Sequence, residues 1–165
     1  MFAFIGFTPF SKIIHKSLSN RPDLWGHYGI ARELSAIYNV PLKEPESYKV
    51  DSKLPKYNLE IKDKDKCHRY IGVEIDGIYD KPAPMWMQSL LSKVGQRPIN
   101  AMVDITNYVM MATGQPSHAF DRTHVGGEKI VVRNAKKKEE LLLLDHTTIS
   151  LTEDDLVICD EKDPM

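Results

Sequence analysis

Apolar residues recur at three- and four-residue spacing through Leu24, Tyr28, Ala31, Leu34, Ile37 and Tyr38, and this period predicts an amphipathic helix over 20–39. Asn20 can cap it, Pro22 suits its first turn, Asp23 complements the positive end of the helix dipole, and Asn39 before Pro41 marks its stop. The period is lost over 40–66, where Pro41, Pro45, Pro55 and the alternation Lys62-Asp63-Lys64-Asp65-Lys66 read as a solvated connection with a short strand at 57–61. Between Arg69 and Ile78 the short-period set Tyr70, Gly72, Val73, Ile75 and Ile78 predicts a longer strand.

After Pro82 and Pro84 the run from Met85 to Leu91 reads as a helix ending at Gly95, where a left-handed cap is natural. A further helix from Asn100 to Thr113 carries Met102, Ile105, Val109 and Met110 on one face and stops at Gly114. Four short strands follow at 129–133, 140–144, 147–151 and 156–159, divided by charged turns and by Asp145-His146. Helices followed by a meander of strands make an α+β order with a mostly antiparallel sheet. Only residues 160–165 follow the last strand, with neither a closing helix nor a partner strand expected, so the domain reads as incomplete at its C-terminus.

A length of 165 residues allows one domain, or one with a small appendage. With 42% hydrophobic and 27% charged residues the chain can bury a core, which excludes disordered and fibrous classes. A net charge of −1 and the lack of any long apolar run argue against a membrane span and against a general attraction to DNA. Cys67 and Cys159 have no CxxC spacing, which favours a reducing compartment over a disulfide scaffold or a zinc site. The apolar start, Met1 to Phe10, has no basic lead or small-x-small cleavage site, which argues against a secretory signal; the absence of acidic residues before Asp23 fits an organellar presequence, and the absence of Arg before Arg21 weighs against one. The chain divides into an atypical lead at 1–19, a helix and linker at 20–56, and a domain at 57–165.

No phosphate-cradling, dinucleotide-binding, HExxH or nucleophile-elbow motif is present, and no two histidines stand at i,i+4 on a helix. The candidate chemistry is concentrated in Asp104, Thr106, Asn107, Gln115, His118 and Asp121, with a helix end between the two polar groups. Polar side chains at a helix end can line a pocket, because loops expose backbone donors and acceptors that a helix interior uses up. The plainer alternative is that Asn107 and Gln115 satisfy turn backbone while His118 caps or packs near Phe120. Met85, Met87, Met102, Met110 and Met111 with Trp86 read as core filling, and Lys136-Lys137-Lys138 as a solvated turn.

The motifs Asn20-Arg21-Pro22-Asp23, Gly29-Ile30-Ala31-Arg32-Glu33-Leu34, Pro84-Met85-Trp86-Met87, Gly95-Gln96-Arg97-Pro98-Ile99-Asn100, Val103-Asp104-Ile105-Thr106-Asn107-Tyr108-Val109 and Gly114-Gln115-Pro116-Ser117-His118-Ala119-Phe120-Asp121 stand in one order. In that order and spacing the chain resembles the B3/B4 region of the β subunits of bacterial-type phenylalanyl-tRNA synthetases, over about residues 17 to 163. The resemblance implies a B3/B4-like α+β fold. It also implies a place in an α2β2 ligase whose α subunit holds ATP, Mg2+ and phenylalanine, none of them bound by this chain. The B3/B4 region of such enzymes hydrolyses tyrosine misattached to tRNA(Phe), and the matching editing positions are Arg97, Thr106 and His118. A cytoplasmic site, an α-subunit partner and tRNA(Phe) follow from the same resemblance, with no membrane and no DNA. The family's glycine-rich segment and later Glu, which complete its tyrosine pocket, have no counterpart before Met165. A non-catalytic RNA-binding or assembly module that retains the fold is the alternative.

Overall fold

In the computed structural model the described residues are 19–165 apart from Glu46, Val50 and Ser52. The expected N-terminal lead therefore lies outside them, save for Ser19. Contacts divide the described chain into two units interleaved in sequence, one made of residues up to 49 with 79–119 and the other of 50–78 with 120–165.

The first unit is helical: α1 (His27–Tyr38), α2 (Met85–Lys93) and α3 (Ala101–Thr113), with a 3₁₀ turn at Pro22–Trp25 ahead of α1. The single helix expected from residue 20 is thus broken at Gly26, which is extended rather than helical. The cause is tertiary: a Cβ on Gly26 would lie 2.3 Å from the Gly114 nitrogen, so the α1 start and the α3 end meet backbone to backbone. Beside them His27 Nδ1 donates to the Met111 carbonyl at 2.7 Å. Asn20 does not cap, and Asp23 serves as an ion-pair hub, accepting from Arg21 Nε at 3.0 Å and from Arg32 Nη2 at 3.2 Å. Those guanidinium bonds hold the Asp23 carboxyl well below its usual range, at about 2. α1 ends at Asn39 in the left-handed conformation, as its sequence suggests, yet Ile37 and Tyr38 of the predicted apolar stripe are exposed.

Ala83, Met87 and Leu91 form the buried cluster of this unit, with Tyr108 of α3 packed on it. Of the methionines read as core, Met87 is buried but Met85 is exposed at the first turn of α2. Trp86, half out of the core, meets Tyr108 edge to face with ring centroids 5.4 Å apart.

The second unit is built on β2 (Ile130–Asn134), which pairs in parallel with β1 (Leu59–Ile61) and antiparallel with β5 (Leu156–Cys159). A separate hairpin, β3 (Glu140–Leu142) with β4 (Thr148–Ser150), packs Leu141 against the core of Val131, Ala135, Leu151, Val157 and Cys159. All four strands expected after residue 128 are present. One pairing, β1 to β2, is parallel in an otherwise antiparallel arrangement. β5 pairs on one edge with β2, and residues 160–165 fold back so that Met165 N–H donates to Ile158 O at 2.9 Å. Cys67 and Cys159 are free thiols, and burial pushes the Cys159 thiol up.

The strand expected over 69–78 does not form. Both hydrogen-bonding edges of β2 are taken by β1 and β5, and Asp63 turns the chain away after β1 by accepting from the Asp65 and Lys66 amides at 3.0 and 2.9 Å. β-branched residues favour a strand where their side chains pack on a half-buried pleated surface, and this segment has none. Ile71, Val73 and Ile75 are left 63–66% exposed.

Candidate functional site

The candidate residues lie on the helical unit, in three consecutive segments around α3. The first is the connection between α2 and α3. Gly95, at φ +85°, ends α2 in a two-bond Schellman cap: Gly95 N–H donates to Ser92 O at 3.1 Å and Gln96 N–H to Leu91 O at 3.0 Å. Arg97 comes next, exposed, and its backbone is biased to extended conformations by Pro98 behind it. At the far end of the connection Ile99 N–H donates to Asp104 Oδ1 at 2.8 Å. Asn100 then caps α3, its side chain accepting from Val103 N–H at 3.0 Å.

The second segment is α3 itself. Thr106 is half-buried, and its hydroxyl donates to the Val103 carbonyl at 2.8 Å. That bond commits the hydroxyl proton and leaves the oxygen lone pairs as acceptors. Thr106 and Asn107 are in the second turn of α3 and not at its end. The helix runs on to Thr113 before Gly114, at φ +78°, stops it, so the segment leading to His118 begins about 12 Å further along the axis from Thr106.

That third segment, after Gly114, carries Gln115 and His118, both exposed. Asp121, grouped with them in the sequence, belongs to the other unit, where it accepts from Thr123 N–H at 2.9 Å and is held below its usual range by Thr123. Sequence reasoning named Asp104 only as one of several polar residues. The structure makes it the one buried polar or charged side chain among the described residues. The available signal was its place four residues after an Asn cap, where a carboxyl reaches back past the helix start. Among the described residues no group of three His, Cys, Asp or Glu is arranged to hold a metal ion. No helix among them is long and apolar enough to cross a membrane.

A fold of three helices and a mixed, mostly antiparallel sheet, with these motifs ordered around α3, defines a known class of domain: residues 66–165 match the family model of the B3/4 domain, and the chain belongs to that family. Several similar proteins are phenylalanine–tRNA ligase β subunits. A phenylalanine–tRNA ligase β subunit from Aquifex aeolicus is 44% identical over 155 residues, 93% of this chain and 20% of the relative. Its counterparts from Solibacter usitatus and Bdellovibrio bacteriovorus are 39% and 40% identical over 90% and 91% of this chain, and 20% and 19% of theirs. The chain thus spans about one fifth of the length of the relatives it matches.

Proposed function

We propose that the chain supplies part of the editing region of a phenylalanine–tRNA ligase β subunit, the region that hydrolyses Tyr-tRNA(Phe), within an assembly whose α subunit carries out ATP- and Mg2+-dependent aminoacylation in the cytoplasm. The observation that carries this reading is the placement of Arg97, Thr106 and His118 on consecutive segments of one unit in a chain of the B3/4 family. An amino-acid site built for phenylalanine rejects tyrosine by a single hydroxyl, and where rejection is incomplete a second, hydrolytic site removes the error.

In the hydrolysis, water oxygen bonds to the ester carbonyl carbon and the bond to the ribose oxygen breaks. One proton of the water ends on the ribose oxygen, the other passes to solvent, and tyrosine leaves as its carboxylate. Arg97 and Thr106 position the aminoacyl end. With its own proton committed to Val103 O, Thr106 serves as an acceptor for a substrate donor such as the α-ammonium group. His118 orients the water or the terminal ribose hydroxyl. No step runs through a metal ion.

The test is the rate of Tyr-tRNA(Phe) deacylation by the complete two-subunit enzyme bearing His118→Ala. The expected result is a fall of about 10²-fold with Phe-tRNA formation nearly unchanged. A loop-packing histidine would instead lower both activities together. An unchanged ratio of editing to aminoacylation discards the assignment and favours the RNA-binding or assembly module.

A further inference from the structure

Asp104 is 1% exposed, and a carboxyl group taken out of water needs hydrogen bonds to compensate. The bond described for it goes outside the helix that bears it, to Ile99 N–H at 2.8 Å. Capping does not require that bond, since Asn100 already caps the Val103 amide. Packing does not replace it either, because the Ile99 side chain is largely exposed and cannot hold the end of the connection by burial. Between Gln96, tied to Leu91 O, and Asn100, the Ile99–Asp104 bond is the only hydrogen bond described for residues 97–99.

From this we infer that Asp104 is the positioning residue for Arg97, an assignment that rests on the editing reading above. Arg97 sits between two pinned amides, Gln96 N–H on the end of α2 and Ile99 N–H on Asp104 of α3, with the Pro98 ring fixing the torsion between them. The carboxyl thereby sets the origin of the Arg97 guanidinium relative to Thr106, two residues further along the same helix. A group that fixes geometry in this way acts on the chemical step, because a misplacement of about 1 Å can lower a rate by about 10²-fold.

Two measurements test it. In the complete enzyme, hydrogen exchange of the Ile99 amide, read by mass spectrometry of a peptide spanning it, should quicken at least tenfold in Asp104→Ala. It should stay slow in Asp104→Asn, which keeps an acceptor of the same shape. Unchanged exchange in Asp104→Ala overturns the anchor. In the complete enzyme, Asp104→Ala should lower kcat for Tyr-tRNA(Phe) deacylation by roughly 10- to 10²-fold with KM little changed, and Asp104→Asn should restore most of it. The double variant Arg97→Ala/Asp104→Ala should be no slower than Arg97→Ala alone. Additive losses, or an Asn variant as poor as the Ala one, overturn the assignment. If Arg97→Ala leaves editing intact the editing reading itself fails, and the Ile99 amide alone then decides whether Asp104 is an anchor.

Discussion

Gly29 shows how little room a single position leaves. A Cβ there would lie 1.5 Å from the Asp23 carbonyl oxygen, which belongs to the 3₁₀ turn folded back over the first turn of α1. Gly29→Ala must push that turn away and should destabilise the chain by about 2–4 kcal/mol, read from urea unfolding. Glu139 is a second such residue. Its carboxylate accepts from Arg133 Nη1 and Nη2 at 2.8 and 2.7 Å and from Lys136 N–H at 2.7 Å, with both partners of the ion pair only 11% exposed. These bonds, the Arg133 guanidinium first among them, hold its pKa at about 2 against an ordinary 4.5. A carboxyl depressed on folding contributes stability above its unfolded pKa, and that contribution is lost as pH falls from about 4.5 through about 2. Glu139→Gln should therefore lower stability at neutral pH by about 2–3 kcal/mol and flatten the acid limb of the stability profile in that window.

Among the elements, the connection between α2 and α3 is the best determined, because each of its bonds follows from local chemistry: the left-handed Gly95, the Asn100 cap and the Pro98 ring. Gly95→Ala adds a Cβ into open space, so its effect is confined to the cost of φ +85° for a residue with a side chain. The expected loss is about 1 kcal/mol, measured by thermal unfolding, with the fold unchanged. The contrast with Gly29 separates conformational from steric demand. The segment 69–78 makes the opposite point. Its composition is that of a strand, but its apolar side chains stay exposed, and Arg122 holds it by an ion pair to Glu74.

For the molecule as a whole, that segment leaves Ile71, Val73 and Ile75 exposed in an alternating row, and contiguous apolar surface of this kind promotes association. The isolated chain should sediment as oligomers or aggregates at micromolar concentration. Replacing the three residues by Thr should shift it toward monomer without lowering the melting temperature, because none of them is in the buried core. A sharp monomeric melt of the parent chain would count against this. Composition places a boundary near residue 57, whereas contacts group the chain into two units that each use two separate stretches. The first tracks where the periodic pattern lapses and the second where the chain returns to itself.

What the sequence by itself determined were the features governed by neighbours in the chain: the end of α1 at Asn39, the Gly95 and Gly114 stops, the Asn100 cap, and the four short strands between charged turns. Caps and turns are set by residues within four positions of one another, so their chemistry is visible in a line of letters. The order and spacing of the motifs single out Arg97, Thr106 and His118 as candidates, and the structure puts them on consecutive segments of the helical unit. Only the tertiary structure decided that the first helix breaks at Gly26, that 69–78 stays out of the sheet and that Asp104 is buried. Each of these depends on long-range placement that no periodicity encodes: the Gly114 backbone against Gly26, the pairing of β2 with β1 and β5 rather than with 69–78, and the burial of the Asp104 carboxyl that reaches back to Ile99.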